Sequence, residues 1–336
     1  MKGIVQKNAV IPVLSGVLVD DGCFIGTNQE LTVKMRSEYG AGERFVIPME
    51  AFNLISNLPD EDVEITSDET AIYIKTSTIR NKFSTYNPDV FPQMNTANFE
   101  NTVEADGLRL ADAINNVIFA ATDSNSSVKG IHMAQKGDRF VVEASDGHVL
   151  ARDVVNISGS GMDVIIPKTA AKQMLSVGLY GKVKISFGKV GIQFETKDCT
   201  IGSQLYAGKY MDFDRIMNMQ SAMTVEARRK DVQESVMRAN ACVTSQNKVP
   251  VRFDIRGDAM QVSLRDSNSE FAEKLPVASS TSDDMMICFD SKLTIDVLKS
   301  FDDENIIIGL SGKTMPSIWT SKNNRMTVVL LPVNKG

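Results

Sequence analysis

Serine, aspartate and histidine, the residue types of a hydrolytic triad, occur close together at Ser145, Asp146 and His148. A hydrolase needs these three side chains to point at one another in a hydrogen-bonded relay. Neighbours on one tight turn cannot adopt that geometry, and the pair Asp146-Gly147 is typical of a turn. We therefore expect no catalytic residues here and a protein that is not an enzyme.

Metal-binding chemistry is also poorly represented. The chain has two histidines, His132 and His148, whereas zinc sites combine several histidines and cysteines at close spacing. The cysteines are far apart and form no Cys-x-x-Cys pair; they are Cys23, Cys199, Cys242 and Cys288. The sequence therefore predicts no metal site, no cofactor and no disulfide framework, as is typical of a protein of the reducing cytoplasm.

The composition is that of an ordinary globular protein with a hydrophobic core. The 336 residues are 43% hydrophobic and 23% charged, and at roughly 150 residues per domain they allow two domains or three small ones. No apolar run approaches the roughly 18 residues that span a bilayer, and polar residues and Pro12 interrupt the first apolar stretch. We expect neither a membrane partner nor a signal peptide. The net charge of −6 argues against nucleic-acid binding by the whole surface but allows a locally basic face.

One pattern occurs three times: a short apolar strand, a three-turn amphipathic helix, and two strands joined by a tight turn. The copies start at Val46, Val164 and Met286. Pro48, Pro167 and Phe289 hold the same place in the three copies, 119 and 122 residues apart. That period is too long for a solenoid and indicates three related domains.

A further helix with an apolar stripe precedes the second and third copies, and the third has Val232, Val236 and Ala239 on that stripe. Two helices and many antiparallel strands per unit predict an α+β fold, with the helices on one face of a sheet. We divide the chain into domains 1–98, 99–222 and 223–336. The first is short, and we expect it to lack the leading strand and most of the first helix.

The order and spacing of several segments resemble the bacterial DNA polymerase III beta subunit, the sliding clamp family. These segments are residues 11–17 (IPVLSGV), 143–151 (EASDGHVLA), 164–175 (VIIPKTAAKQML), 206–217 (YAGKYMDFDRIM), 289–310 (FDSKLTIDVLKSFDDENIIIGL) and 328–333 (VVLLPV). The resemblance implies three repeated DNA-clamp domains and a head-to-tail homodimer. Six domains then close a ring around duplex DNA, with the helices lining the hole, and the ring performs no catalysis.

The resemblance also implies the partners. They are double-stranded DNA, encircled without sequence specificity, a second copy of the chain, the DNA polymerase III catalytic subunit, the clamp loader complex, and other clamp-binding replication and repair proteins.

A ring lining must attract phosphate weakly, because each neutralised phosphate adds affinity and the clamp must slide. Basic residues on the polar faces of the predicted helices fit this need, although the simpler interpretation of any one of them is a solvated helix face. The candidates are Lys2, Lys7, Arg109, Lys168, Lys172, Arg229, Lys230, Arg238, Lys292 and Lys299.

The family binds partner peptides in a groove between its second and third domains. Carried over position by position, that groove comprises Val128, Ser145, Gly147, His148, Val149, Leu150, Met211, Arg215, Ile216, Met315, Ser317, Val329, Leu331, Pro332 and Val333. The alternative is that Val329 and Leu331 are ordinary strand residues that face a core. Val149 stands where the family usually has an arginine, and the tail at residues 334–336 replaces the family's basic-apolar end. We therefore expect the location of the groove to be kept, while its preferred peptide can differ.

The implied dimer contact joins an edge strand of the first domain to one of the third. The matching segments are residues 79–86 and 270–277, in which Lys82 and Phe83 could pair with Phe271 and Leu275.

The alternative function is a three-domain β-rich protein that binds peptide or carbohydrate without any DNA role. It explains the repeats but not the helix lysines. The single Trp319 and the six tyrosines also offer few platforms for stacking a sugar.

Overall fold

The computed structural model describes residues 3–5, 9–92, 99–124, 127–243 and 249–333. The chain forms two compact units. The first contains residues 1–108, 157–162 and 169–207, and the second contains residues 109–156, 163–168 and 208–336. Within the described ranges, no helix is long and apolar enough to cross a membrane. The division into three domains made from the sequence stays a prediction.

Six α-helices lie in the described residues: α1 (Met49–Ile55), α2 (Gly107–Val117), α3 (Lys168–Val177), α4 (Asp214–Met217), α5 (Arg229–Ala241) and α6 (Ser291–Lys299). The strands of the first half are β1 (Gly16–Asp20), β2 (Cys23–Thr27), β3 (Leu31–Arg36), β4 (Arg44–Pro48), β5 (Glu64–Ser67), β6 (Ala71–Lys75), β7 (Arg80–Ser84), β8 (Asn101–Asp106), β9 (Ile131–Lys136), β10 (Arg139–Ser145), β11 (Val149–Val155), β12 (Ile157–Ser158) and β13 (Asp163–Ile166). The strands of the second half are β14 (Lys182–Phe187), β15 (Gly191–Glu195), β16 (Cys199–Gln204), β17 (Met223–Arg228), β18 (Pro250–Arg256), β19 (Ala259–Arg265), β20 (Glu270–Pro276), β21 (Ala278–Ser279), β22 (Met285–Asp290), β23 (Asn305–Leu310), β24 (Ser317–Ser321) and β25 (Met326–Leu330).

The predicted strand–helix–hairpin unit recurs three times, as β4–α1–β5–β6, β13–α3–β14–β15 and β22–α6–β23–β24. The additional helices α2 and α5 precede the second and third copies, as predicted. Helix α1 is shorter than the predicted three turns and ends at Ile55. Leu58 lies beyond the helix, because the following Pro59 disfavours helical backbone at that residue.

The first unit contains a nine-stranded sheet in the order β12-β8-β14-β15-β16-β3-β2-β1-β4 and a three-stranded sheet β5-β6-β7. Strands β16 and β3 pair antiparallel, with Ile201 opposite Val33, so segments far apart in the sequence share one sheet. Ile47, Ile72 and Ile74 are almost fully buried in a core that also contains the buried Ala51 of α1. Burial of these aliphatic side chains holds α1 against the strands.

The second unit contains a nine-stranded sheet in the order β13-β9-β10-β11-β25-β24-β23-β17-β21 and a four-stranded sheet β20-β19-β18-β22. Phe253, Phe289 and Trp319 are buried together, and Phe289 meets the other two edge-on at ring-centroid distances of 5.7 and 5.8 Å. Offset and edge-to-face contacts of this kind are favourable because the ring quadrupoles complement each other. The Trp319 side chain therefore belongs to the core and offers no surface for stacking.

Candidate functional site

An apolar groove lies in the second unit, where β11 meets β25. Its volume is about 350 Å³. The lining residues are Ser127, Val128, Ser145, Gly147, His148, Val149, Leu150, Met211, Phe213, Ile216, Val329 and Leu331. Met211, Ile216 and Leu331 are exposed although they are large and apolar, with 48%, 37% and 37% of their surface accessible. Exposed apolar surface gathered in a groove is typical of a binding site.

The pairing of β11 with β25 forms the floor of the groove. Leu150 lies opposite Val329, and the Leu331 amide continues the ladder by donating to the His148 carbonyl at 3.0 Å. Side chains alternate between the faces of a strand, so Val329 and Leu331 share the groove face. Val328 and Leu330, on either side of Val329, are fully buried on the opposite face.

The turn between β10 and β11 shapes one end of the groove. The Asp146 carboxylate accepts hydrogen bonds from the amides of His148 and Val149 at 2.8 and 3.0 Å. The Ser145 hydroxyl donates to the Val149 carbonyl at 2.8 Å, and Gly147 has a φ of 95°, which glycine adopts without strain. The serine and aspartate therefore build the turn, as predicted, while the His148 ring is 80% exposed.

Residues 208–217 form the wall of the groove, and Met211, Phe213 and Ile216 of this segment line it. Tyr210 of the segment is buried, and the Tyr210 hydroxyl donates to the Val128 carbonyl and accepts from the Ser145 amide, both at 3.2 Å. The Tyr210 ring also meets Phe213 edge-on at 6.0 Å between centroids. These contacts bring the wall residues Met211 and Phe213 to the strands of the floor.

Some residues placed in the groove from the sequence do not line it: Arg215, Met315, Ser317, Pro332 and Val333. Ser317 is buried, and its hydroxyl donates to the Leu330 carbonyl at 2.9 Å and accepts from the Trp319 indole at 2.8 Å, so it supports the core. Ser127 and Phe213 line the groove but were missed. Phe213 could have been predicted from the sequence, because it is an apolar residue in the same short segment as Met211 and Ile216.

Comparison with known proteins identifies the fold. Residues 104–212 match the family described as the central domain of the DNA polymerase III beta subunit. The beta sliding clamp of Chlamydia muridarum is 22% identical over 346 residues, covering 98% of this chain and 94% of the relative. The beta sliding clamp of Streptococcus pneumoniae is 23% identical over 342 residues, covering 94% and 89%.

Solved structures agree with these relatives along the whole chain. The DNA polymerase III beta subunit of Thermotoga maritima superposes with a TM-score of 0.88 at 22% identity, covering 99% of this chain and 95% of that one. The Pseudomonas aeruginosa sliding clamp bound to griselimycin gives a TM-score of 0.90 at 21% identity with the same coverage. This is the beta sliding clamp fold. The resemblance drawn from the sequence motifs is confirmed, as is the α+β class.

The basic helix residues proposed for the clamp lining fall into three groups. Lys172, Lys230, Lys292 and Lys299 are exposed, and the described part of the chain shows no ion pair for any of them. Arg109, Lys168, Arg229 and Arg238 are bonded within the protein. Lys2 and Lys7 lie outside the described residues.

Arg109 illustrates why a basic helix residue need not face a ligand. Its guanidinium pairs with Asp153, whose side chain is fully buried, and donates to the Val154 carbonyl at 2.6 Å. Asn116 also donates to Asp153 at 2.9 Å. A buried carboxylate needs such partners. The Arg109 guanidinium is therefore engaged with buried groups of its own unit.

The two strands expected to join clamp subunits are both sheet edges. Strand β7 is the edge of β5-β6-β7, and β20 is the edge of β20-β19-β18-β22. The Lys82 ammonium of β7 lies 5.3 Å from the Tyr73 ring centroid, a cation–π distance. On β20, Phe271 is half-buried and Leu275 is buried. Phe83 is also half-buried, against the core of the first unit.

Proposed function

We propose that this protein is a DNA sliding clamp that forms a ring around duplex DNA and tethers a replicative polymerase through the groove. The observation that carries the proposal is the apolar groove at the β11–β25 junction, in a chain that has the clamp fold over almost its full length. The protein holds its partners on DNA and catalyses no reaction itself. The alternative of a peptide- or carbohydrate-binding protein without a DNA role is not favoured by the relatives, which are named sliding clamps.

The groove is the site for short apolar peptide segments of partner proteins. Met211, Ile216 and Leu331 present apolar surface that a peptide side chain can cover, and burial contributes about 25 cal/mol per Å² of apolar surface. Methionine adapts its shape to different side chains, which suits a groove that serves several partners. The polymerase catalytic subunit, the clamp loader and repair proteins are the proposed occupants.

DNA passes through the ring, where exposed lysines face the phosphates. Lys172 of α3, Lys230 of α5 and the α6 pair Lys292 and Lys299 supply this charge. A small number of exposed cations gives weak, salt-sensitive attraction rather than tight binding, as sliding requires. Enclosure rather than adhesion then keeps the protein on DNA.

The ring closes when β7 of one copy extends the sheet that ends at β20 of a second copy. Both strands offer unpaired backbone groups at a sheet edge, and edges of this kind pair readily with another chain. Lys82 of β7 and Glu270 of β20 are exposed and carry opposite charges. The three-domain division and the cytoplasmic location remain predictions that accompany this proposal.

Binding of a peptide with the Gln-x-x-apolar-apolar pattern, which the sliding clamp family accepts, tests the groove. We expect Leu331→Asp to abolish binding, because it places a charge among apolar residues. Leu108→Asp is the matched control, since Leu108 is also exposed and lies outside the groove lining. Unchanged affinity of Leu331→Asp would remove the assignment of the groove.

A further inference from the structure

A cluster of ionisable residues lies on the face of the sheet that carries the groove. His132 of β9 is opposite Glu143 of β10, and Glu143 is opposite Arg152 of β11. Opposed residues share a face, and so do residues two apart on a strand. Ser145 and Leu150, which line the groove, therefore share a face with Glu143 and Arg152. The ionisable cluster and the groove floor are neighbouring parts of one surface.

Glu143 lies at the centre of this cluster and is fully buried. Its carboxylate is 2.8 Å from His132 Nδ1, accepts from Arg152 Nε at 2.7 Å and lies 3.3 Å from Lys136 Nζ. Burial by itself would raise the pKa of Glu143. The hydrogen bond to His132 and the charges of Arg152 and Lys136 outweigh it, so the pKa is below its ordinary value. The carboxylate is thus ionised and fully engaged.

The groove wall is attached to this cluster at two points. The Tyr210 ring stacks on His132, with 4.7 Å between centroids and 22° between planes. The Asp214 carboxylate accepts hydrogen bonds from Arg152 at 2.7 Å and from Lys136 at 3.0 Å. Met211 and Phe213 lie between these two attachments, and Ile216 follows the second by less than one helical turn.

We propose that Asp214 is a positioning residue for the groove, acting through Arg152 and Lys136 to hold the wall segment in its binding geometry. The inference rests on the proposed function of the groove as a peptide site. Because the wall is already ordered, peptide binding loses no conformational entropy in ordering it, and the affinity is higher. Met211, Phe213 and Ile216 touch the peptide, whereas Asp214 acts only through the wall.

Asp214 is the better residue to replace in a test, because Glu143 is fully buried and its replacement would also destabilise the core. The Asp214 side chain is 45% exposed, and Arg152 keeps its bond to Glu143 when Asp214 is removed. Burial opposes ionisation of Asp214, but the hydrogen bonds from Lys136 and Arg152 outweigh it and hold the pKa below its ordinary value. Replacement of Asp214 therefore releases the wall without leaving an unpaired charge in the core.

The test combines amide hydrogen exchange of residues 208–217 with affinity for the Gln-x-x-apolar-apolar peptide. We expect Asp214→Ala to speed exchange in this segment and, if only a tenth of molecules keep the wall in place, to weaken binding about tenfold. Asp214→Glu keeps the carboxylate and should recover most of the affinity. Asp212→Asn is the control: Asp212 is 73% exposed, its ion pair with Lys136 is long at 3.6 Å, and asparagine keeps the Oδ1 that accepts from the Asp214 amide, so both readouts should change little.

Unchanged exchange and affinity in Asp214→Ala would overturn the inference, as would an equal loss in Asp212→Asn. A uniform rise in exchange across the second unit would also overturn it, because that result describes a general loss of stability. If the wild-type protein fails to bind the peptide, the proposed function fails, and the exchange data alone then decide whether Asp214 positions the wall.

Discussion

Leu150 of β11 lies directly opposite Val329 of β25, and both side chains line the groove. These residues belong to the second and third of the domains predicted from the sequence. The groove floor therefore exists only where the two segments pair, and neither contains it alone. Binding in this groove therefore requires that β11 and β25 are paired.

The buried Glu143 cluster predicts a pH-dependent contribution to stability. Because the folded-state pKa of Glu143 lies below its ordinary value of 4.5, its ion pairs contribute fully above that pH and are lost as the pH falls through the folded-state pKa. We expect Glu143→Gln to lower the free energy of unfolding by about 3 kcal/mol at neutral pH. Urea denaturation at neutral pH and in acid measures this difference.

The acid measurement decides this prediction. The difference in free energy of unfolding between wild type and Glu143→Gln should decrease as Glu143 becomes protonated. A difference of equal size at both pH values would contradict the account. Glu64→Gln is a suitable control, because Glu64 forms an exposed pair with Lys75 and exposed pairs contribute at most about 1 kcal/mol.

The exposed lysines predict a salt-dependent interaction with DNA. We expect Lys230→Gln to reduce the slope of log affinity against log salt by about 0.9, if one phosphate contact is lost. Arg238 lies on the same helix but is bonded to Glu273 through both carboxylate oxygens. Arg238→Gln should therefore change the slope less, and an equal change in both variants would speak against a specific role for Lys230. Fluorescence anisotropy of a labelled duplex over a salt series provides the slope.

The edge strand β20 predicts that one apolar side chain matters for dimer formation. We expect Phe271→Glu to weaken the dimer about tenfold or more, equivalent to about 1.4 kcal/mol, because it places a charge in the proposed contact. Met286 is partly exposed on β22, the other edge of the same sheet, so Met286→Glu is the matched control. Sedimentation equilibrium gives the dimer dissociation constants of both variants. Equal weakening by the two variants would refute the assignment of β20.

The cysteines predict an order of chemical reactivity. Burial raises the pKa of the Cys199 thiol to about 11, so little thiolate forms near neutral pH. Cys23 and Cys242 are half-buried. An alkylating reagent should modify these two in the native protein and reach Cys199 only after unfolding, as peptide mass mapping can record. Rapid native labelling of Cys199 would show that the β16–β3 pairing opens.

Local patterns were enough to predict the repeated units. The stripe of Val232, Val236 and Ala239 predicted α5, and all three side chains are buried there. The Asp146-Gly147 pair predicted a turn, and that turn is present. In both cases the signal lies within a few residues and depends on backbone geometry and apolar periodicity.

Long-range partners were not predictable in the same way. Arg109 has the sequence signature of an exposed basic helix residue, but its partner Asp153 lies 44 positions away on β11. Ser317 looked like a groove residue but supports Trp319 instead. No local pattern encodes these pairings, because the folded sheets bring the partners together.

Topological retention on DNA tests the central claim most directly. The protein is assembled on nicked circular DNA by a clamp loader with ATP, washed at high salt, and then the DNA is cut once with a restriction enzyme. The account predicts that the protein stays on the circle through the wash and leaves when the DNA becomes linear, because a ring can slide off a free end. Loss during the salt wash, or persistence after linearisation, would contradict enclosure as the mechanism.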